Sequence, residues 1–264
     1  MEKTNIRRLI GVMMPFMIMV IIQRLGLLWL PDLPAFVIAS AAGIFFFRMS
    51  CGADAIRFSA GTAAQEEQEG RENSDPTVPP FRPRDTVPGR ILWIFVCMGV
   101  LIVLMHIVAA VVGGSSAELV PSASEALALV LIHPFLEEYL FRWLYYRELR
   151  PMHPFFAGLA QAVMFAIVHG SVGGMVYALF AGVVLAVALE HSGSLAVTVA
   201  AHALVNLRSF VYAVWLADAG LVRTILDFCV VSVGFGAFLV LLVRRGLREV
   251  WETAETEEET DDGE

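Results

Sequence analysis

Charge is scarce in this chain: only 17% of its 264 residues are Asp, Glu, Lys or Arg, against 58% hydrophobic. The mean hydropathy is +0.70. A soluble domain carries about a quarter charged residues, so the deficit excludes an ordinary water-soluble fold and implies a polytopic membrane protein. Lysine is nearly absent, Lys3 standing alone beside seventeen arginines, and the formal charge of −8 gives no reason to expect a nucleic-acid partner. Cysteine is also sparse. Cys51, Cys97 and Cys229 are widely spaced and form no CxxC pair, which excludes a disulfide framework and a thiolate metal site. The negative charge is concentrated in two acidic stretches, Glu66 to Glu72 and Glu249 to Glu264, read as solvated segments. Lys3, Arg7 and Arg8 precede an apolar run as in a signal peptide, but no small-residue cleavage site follows, so a retained first helix is expected.

What the chain does have is long apolar runs. Allowing roughly 20 apolar residues per span, helices are expected near 9–30, 34–49, 91–112, 124–146, 155–169, 172–190, 195–216 and 221–243. The fold class is therefore all-α, a membrane bundle of about eight transmembrane helices. Residues 1–50 form an N-terminal hairpin turned by Pro31-Asp32-Leu33-Pro34. Residues 51–90, rich in Glu, Arg and Pro, read as a disordered cytosolic linker. A six-helix membrane body occupies 91–243, and an acidic cytosolic tail 244–264. Arginines cluster at the N-terminus, in the linker, at Arg147 and Arg150, and at Arg244, Arg245 and Arg248, whereas the intervening ends carry little more than Arg223. By the positive-inside rule both termini face the cytosol of a cell-membrane protein and the Gly113 to Ser122 loop faces away. No internal repeat suggests a transporter of inverted halves.

Against this apolar background, a few polar residues stand out within the helices. A carboxylate at the centre of a membrane helix costs about 2.5–3.5 kcal/mol on insertion scales, so such groups are presumed functional. Glu137 and Glu138 are adjacent, with side chains about 100° apart, while Glu138 and Arg142 share a face four residues apart. Arg142 thus offers Glu138 an intrahelical partner. Glu137 has none evident, the setting in which a carboxyl group serves as acid or base near neutral pH. Phe165 and His169 lie one turn apart at the end of an apolar helix, and His202 and Asn206 share a face in AAHALVNL. Together these supply a base, an imidazole and oxyanion donors, which suffice for hydrolysis without a Ser or Cys nucleophile. At 1.5 Å per residue Glu137 lies about 10 Å and His202 about 12 Å from the cytosolic face, but His169 about 21 Å, so the fifth helix must begin deeper, tilt, or follow a re-entrant stretch around Pro151 and Pro154.

EEYLFR (137–142), FAIVH (165–169) and HALVN (202–206) resemble the EExxxR, FxxxH and HxxxN motifs of the CPBP intramembrane protease family, which includes CAAX prenyl protease 2 and bacterial Abi-type proteins. Order and spacing agree, as does GxxxAxxxEHSGSLAVTVAAH leading into the third motif; the resemblance covers about 120 to 210. It implies an intramembrane endopeptidase in which Glu137 and His169 activate water, and His202 and Asn206 stabilise the oxyanion. Glu138, Arg142 and Phe165 are supporting residues. No cofactor is expected. There is no HExxH, and an asparagine amide is a poor zinc ligand but a good donor. A zinc held by Glu137, His169 and His202, with Glu138 as base, is the other form of the same protease.

The expected partners are the lipid bilayer and a membrane-associated peptide or protein substrate, entering laterally or from the cytosol. Two other classes are a non-catalytic membrane binding or immunity protein that keeps the cluster for packing, and a proton-coupled transporter. Transport lacks paired broken helices, and scaffolding alone does not account for motifs that form a hydrolytic set. Prenylated CaaX peptides are the family's eukaryotic association, but these motifs specify water activation rather than side-chain choice.

Overall fold

The chain is an all-α membrane helix bundle, seen in a computed structural model that describes residues 3–51, 86–112 and 123–261. Most of the expected linker, the Gly113 to Ser122 loop and the tail side chains beyond Gly246 lie outside the described residues. The helices are α1 (Lys3–Gly26), α2 (Asp32–Cys51), α3 (Val87–Val112), α4 (123–149), α5 (Pro154–Val168), α6 (Val172–Ser192), α7 (Leu195–Trp215) and α8 (Gly220–Asp261). Six of them, α1, α2, α3, α6, α7 and α8, are long and apolar enough to cross a membrane.

The two others depart from the eight expected spans for identifiable reasons. Helix α5 has 15 residues, about 22 Å at 1.5 Å per residue, shorter than the roughly 30 Å hydrocarbon core. Helix α4 carries Glu137, Glu138, Arg142, Arg147 and Glu148, and two of its segments, Ala128–Ile132 and Glu138–Tyr146, are wound as π-helix. Helix ends also move outward from the expected limits. Helix α4 continues to Leu149 and α8 to Asp261, because hydropathy marks where a chain is apolar, whereas Glu, Arg and Lys continue a helix readily.

Short turns set the neighbours. Ser171 caps α6, its Oγ accepting from Gly174 N at 3.1 Å, and Gly193 closes the helix with φ 62° before α7 begins. A single buried cluster joins Phe16 of α1 and Phe47 of α2 to Phe141 and Tyr145 of α4, with Phe165 beyond. Phe16 meets Tyr145 edge-on at 6.3 Å, and Phe141 meets Phe165 at 5.2 Å. The N-terminal hairpin is therefore packed into the body by its aromatics.

Polar ties pin the two ends of the bundle. At one end Arg8 Nη1 donates to the Glu148 carbonyl at 3.2 Å, Tyr146 donates to Glu190 at 2.6 Å, and Arg150 donates through Nε to the same carboxylate at 2.8 Å. At the other, Arg24 Nη2 donates to the Ile167 carbonyl at 3.2 Å. Asp227 of α8 accepts from Arg208 Nε and Tyr212 of α7 and faces His106 Nε2 of α3 at 2.9 Å, so a second polar cluster holds these three helices together.

Close backbone approach does the rest. A Cβ on Gly234 of α8 would sit 2.6 Å from the Phe95 carbonyl oxygen and 3.2 Å from Gly99 Cα of α3, whereas Gly236 has nothing within 4 Å. Small residues at such crossings let membrane helices gain van der Waals contact. Gly234→Ala is accordingly expected to destabilise the solubilised protein by about 1–3 kcal/mol through overpacking. Gly236→Ala is expected to be neutral or slightly stabilising, because alanine favours the helix. Thermal denaturation of both variants in one detergent checks this; equal melting temperatures would refute the crossing.

Candidate active site

Helix α4 places two carboxylates and a guanidinium in the interior. Glu138 and Arg142 are each 0% exposed, with Nη1 and Oε1 at 3.2 Å. The guanidinium is also seated over the Phe165 ring, 4.2 Å from its centroid, a favourable site for a cation removed from water. Its nitrogens make no hydrogen bond to protein groups among the described residues. Charge pairing and the aromatic face therefore carry the burial of Arg142, which explains why the phenylalanine of the second segment matters.

His202, from α7, bridges the adjacent carboxylates. Its Nδ1 lies 2.9 Å from Glu138 Oε1 and its Nε2 3.7 Å from Glu137 Oε2. A carboxylate oxygen only accepts, so Nδ1 carries the hydrogen and Nε2 is turned toward Glu137. Glu137 and Glu138 thus diverge along the helix yet meet one imidazole. Glu137 also has a neighbour on its own helix that the motifs do not include: His133 Nδ1 lies 4.0 Å from its Oε1. The i,i+4 spacing is the signal that points to it. His133 is fixed by stacking on Phe36 of α2, ring centroids 4.3 Å apart and planes 8° apart.

His169 is the C-cap of α5 and is stopped there by Gly170, whose φ of 71° only glycine adopts readily. Its Nδ1 lies 2.8 Å from the Phe165 carbonyl, which can only accept, so the neutral ring keeps Nε2 as an open acceptor. Asn206 Nδ2 donates to the Leu129 carbonyl at 2.9 Å. The local chain explains this bond. In the π-turn, the His133 N–H bonds to Ala128 O, and the next residue, Pro134, has no N–H for Leu129 in the same pattern. The Asn206 amide supplies the missing donor and keeps its second N–H.

Glu137, Phe165, His169, His202 and Asn206 all line one cavity of about 440 Å³. Glu138 and Arg142 lie behind it, bonded to His202 and stacked on Phe165. The structure therefore gathers the sequence-selected residues around one space and separates those facing it from those behind. Extension of α4 to Leu149 puts Glu137 further from that helix end, at most about 18 Å away at the α-helical 1.5 Å per residue, since the π-wound Glu138–Tyr146 stretch rises less. The depth mismatch with His169 shrinks accordingly. Gln23, Arg24, Asp32 and Phe36 of the first two helices also line the cavity, as does Tyr177 of α6. Nothing in their sequence spacing points there, because they arrive by tertiary packing alone.

A tetrahedral zinc would need three protein donors converging at about 2.0–2.2 Å from one point. Among the described residues no group of three His, Cys, Asp or Glu side chains is so placed. The Nδ1 atoms of His169 and His202 are held by the Phe165 carbonyl and by Glu138, partners that a zinc-bound imidazole also uses, so it is the spacing of the donors, and not their hydrogen bonds, that does not fit such an ion.

Comparison with known families relates part of this chain to a described one. Residues 119–208 match the Rce1-like family, type II CAAX prenyl endopeptidase Rce1-like. The stretch that is similar to this family contains Glu137, Glu138, Arg142, Phe165, His169, His202 and Asn206. No curated protein matches, and no solved structure matches.

The geometry separates the two carboxylates in their effect on stability. Glu138→Gln leaves Arg142 buried beside a neutral amide, and breaking a buried pair typically costs about 3–5 kcal/mol. Loss of folded yield or a large fall in melting temperature is expected. Glu137→Gln, facing the cavity, is expected to keep the wild-type melting temperature; equal destabilisation by both would contradict the separation.

Proposed function

We propose that the protein is an intramembrane endopeptidase of the CAAX prenyl protease 2-like type, which hydrolyses a peptide bond with an activated water. The observation that carries this reading is the convergence of Glu137, His169, His202 and Asn206 on one cavity, within the segment that matches the CAAX endopeptidase family. Glu137 accepts a proton from water, and the open Nε2 of His169 orients that water by accepting its second hydrogen. The hydroxide oxygen bonds to the carbonyl carbon, and the carbonyl electron pair moves onto oxygen. Asn206, with a second N–H beyond the one given to Leu129, donates to the oxyanion. His202 donates to it through Nε2 in its protonated form, while Glu138 holds Nδ1. Collapse breaks the C–N bond, and the proton on Glu137 passes to the leaving amine.

Glu138, Arg142 and Phe165 are positioning residues in this scheme. The metal-free route is supported by the donor geometry and by an asparagine where a zinc site would want a ligand. The packing of the conspicuous residues around open space, rather than entirely against one another, favours chemistry over a purely scaffolding or immunity role. Both termini face the cytosol in this reading.

Wild type and Glu137→Gln, reconstituted in liposomes with a library of membrane-anchored peptides, test the reading: new peptide termini are expected by mass spectrometry with wild type only. Full activity in Glu137→Gln would overturn it. Once a cleaved peptide is in hand, Asn206→Ala is expected to lower kcat by about 10²–10³ with little change in KM, the mark of losing a transition-state donor. Activity is also expected to survive a strong chelator. One zinc per chain, removed and restored in parallel with activity, would instead make Glu137, His169 and His202 ligands.

A further inference from the structure

The cavity has a closed end and an open end, and the two can be told apart by what lines them. Beyond Glu138 and Arg142 it is sealed by Phe16, Phe47, Phe141 and Tyr145, each at most 1% exposed. In the other direction its lining reaches Leu27, Asp32 and Gly170, all exposed, in the α1–α2 and α5–α6 turns. Arg24 spans these turns by donating to the Ile167 carbonyl at 3.2 Å. The closed end belongs to the same side as the contact of Arg8 with Glu148 and that of Arg150 with Glu190. Nearly all the basic residues flanking the spans, including Arg7, Arg90, Arg147 and Arg244, fall at that end.

By the positive-inside rule the arginine-rich end is cytosolic. We propose that the cavity opens on the non-cytosolic face of the membrane, and that its substrate is a peptide segment of a membrane protein presented from that side, rather than a cytosolic carboxyl terminus. The substrate half of this proposal rests on the hydrolytic reading above; the sidedness does not. A peptide coming from the cytosol would have to displace the aromatic seal and pass the Glu138–Arg142 pair. One entering through the turns meets Arg24 and Asp32 first and then reaches Glu137 and His202 without moving a buried side chain.

The test places single cysteines in full-length protein whose Cys51, Cys97 and Cys229 are replaced by alanine, in sealed vesicles of known sidedness, with a charged membrane-impermeant maleimide. Leu27→Cys, at the mouth, and Val168→Cys, in the lining beside His169, are expected to react in right-side-out vesicles only. Met152→Cys, in the turn at the sealed end, is expected to react in inverted vesicles only. Reaction of Val168→Cys only in inverted vesicles overturns the sidedness. Reaction from neither side, with Leu27→Cys labelled, overturns the open mouth. Reporter fusions at positions 65 and 255 inside and 118 outside give the orientation independently of any cysteine variant, and the reverse pattern overturns the proposal. With the same vesicles right-side-out, the library of membrane-anchored peptides, added from outside so that the peptide portion stays on the outer face, is expected to be cut without permeabilisation. Cleavage only after permeabilisation overturns the substrate side. No cleavage under either condition, with labelling as expected, removes the hydrolytic reading and its substrate while the sidedness stands.

Discussion

The burial of Arg142 is the constraint around which the site is arranged. A guanidinium with no exposed surface in a membrane bundle needs a counter-charge, and the nearest is Glu138, one turn back on the same helix. That carboxylate is then committed to two partners, Arg142 and His202, and cannot also face the cavity. Phe165 completes the enclosure from α5 by covering the guanidinium, which draws α5 against α4 and brings His169, one turn further, to the cavity wall. Removing either charge would leave the other buried and unpaired, the costly case for a buried ion pair.

That arrangement divides neighbouring residues by role. Glu137 and Glu138 differ by one position, yet one lines open space and the other is enclosed behind it. The imidazole of His202 is shared between them, so a change of protonation at Glu137 is felt by a ring that Glu138 holds in place. The π-wound stretches of α4 contribute as well. Where Pro134 withholds a backbone donor, Asn206 supplies one, and a side chain from α7 is thereby fixed opposite the carboxylates.

The helices are largely legible in the sequence, because an apolar run long enough to cross a bilayer is seldom anything but a membrane span, and the turns at Pro31, Gly170 and Gly193 mark where runs end. So is the pairing of Glu138 with Arg142, which follows from helical spacing alone. The π-turns are not legible: they depend on which backbone donors the packed bundle satisfies, and Pro134 hints at only one of them. Gln23, Arg24 and Asp32 reach the cavity through the packing of the first two helices against α4 and α5, a contact no local pattern encodes. His133 is within reach at i−4 from Glu137, but a histidine followed by proline reads as a break in a helix rather than as part of a face. The composition of the linker and tail carries no information about the cavity.

Attack by water activated at Glu137, with no covalent intermediate, is the central chemical claim, and one isotope experiment addresses it directly. A single turnover in ¹⁸O-water, with enzyme in excess over a cleaved peptide, is expected to place ¹⁸O in the new C-terminal carboxyl and leave the Glu137 side chain unlabelled. If Glu137 instead attacked the peptide carbonyl and formed an anhydride, water opening it at the glutamyl carbon would leave ¹⁸O on Glu137 and only ¹⁶O in the product. That pattern, read by mass spectrometry of the product and of the enzyme peptide containing Glu137, would contradict the account.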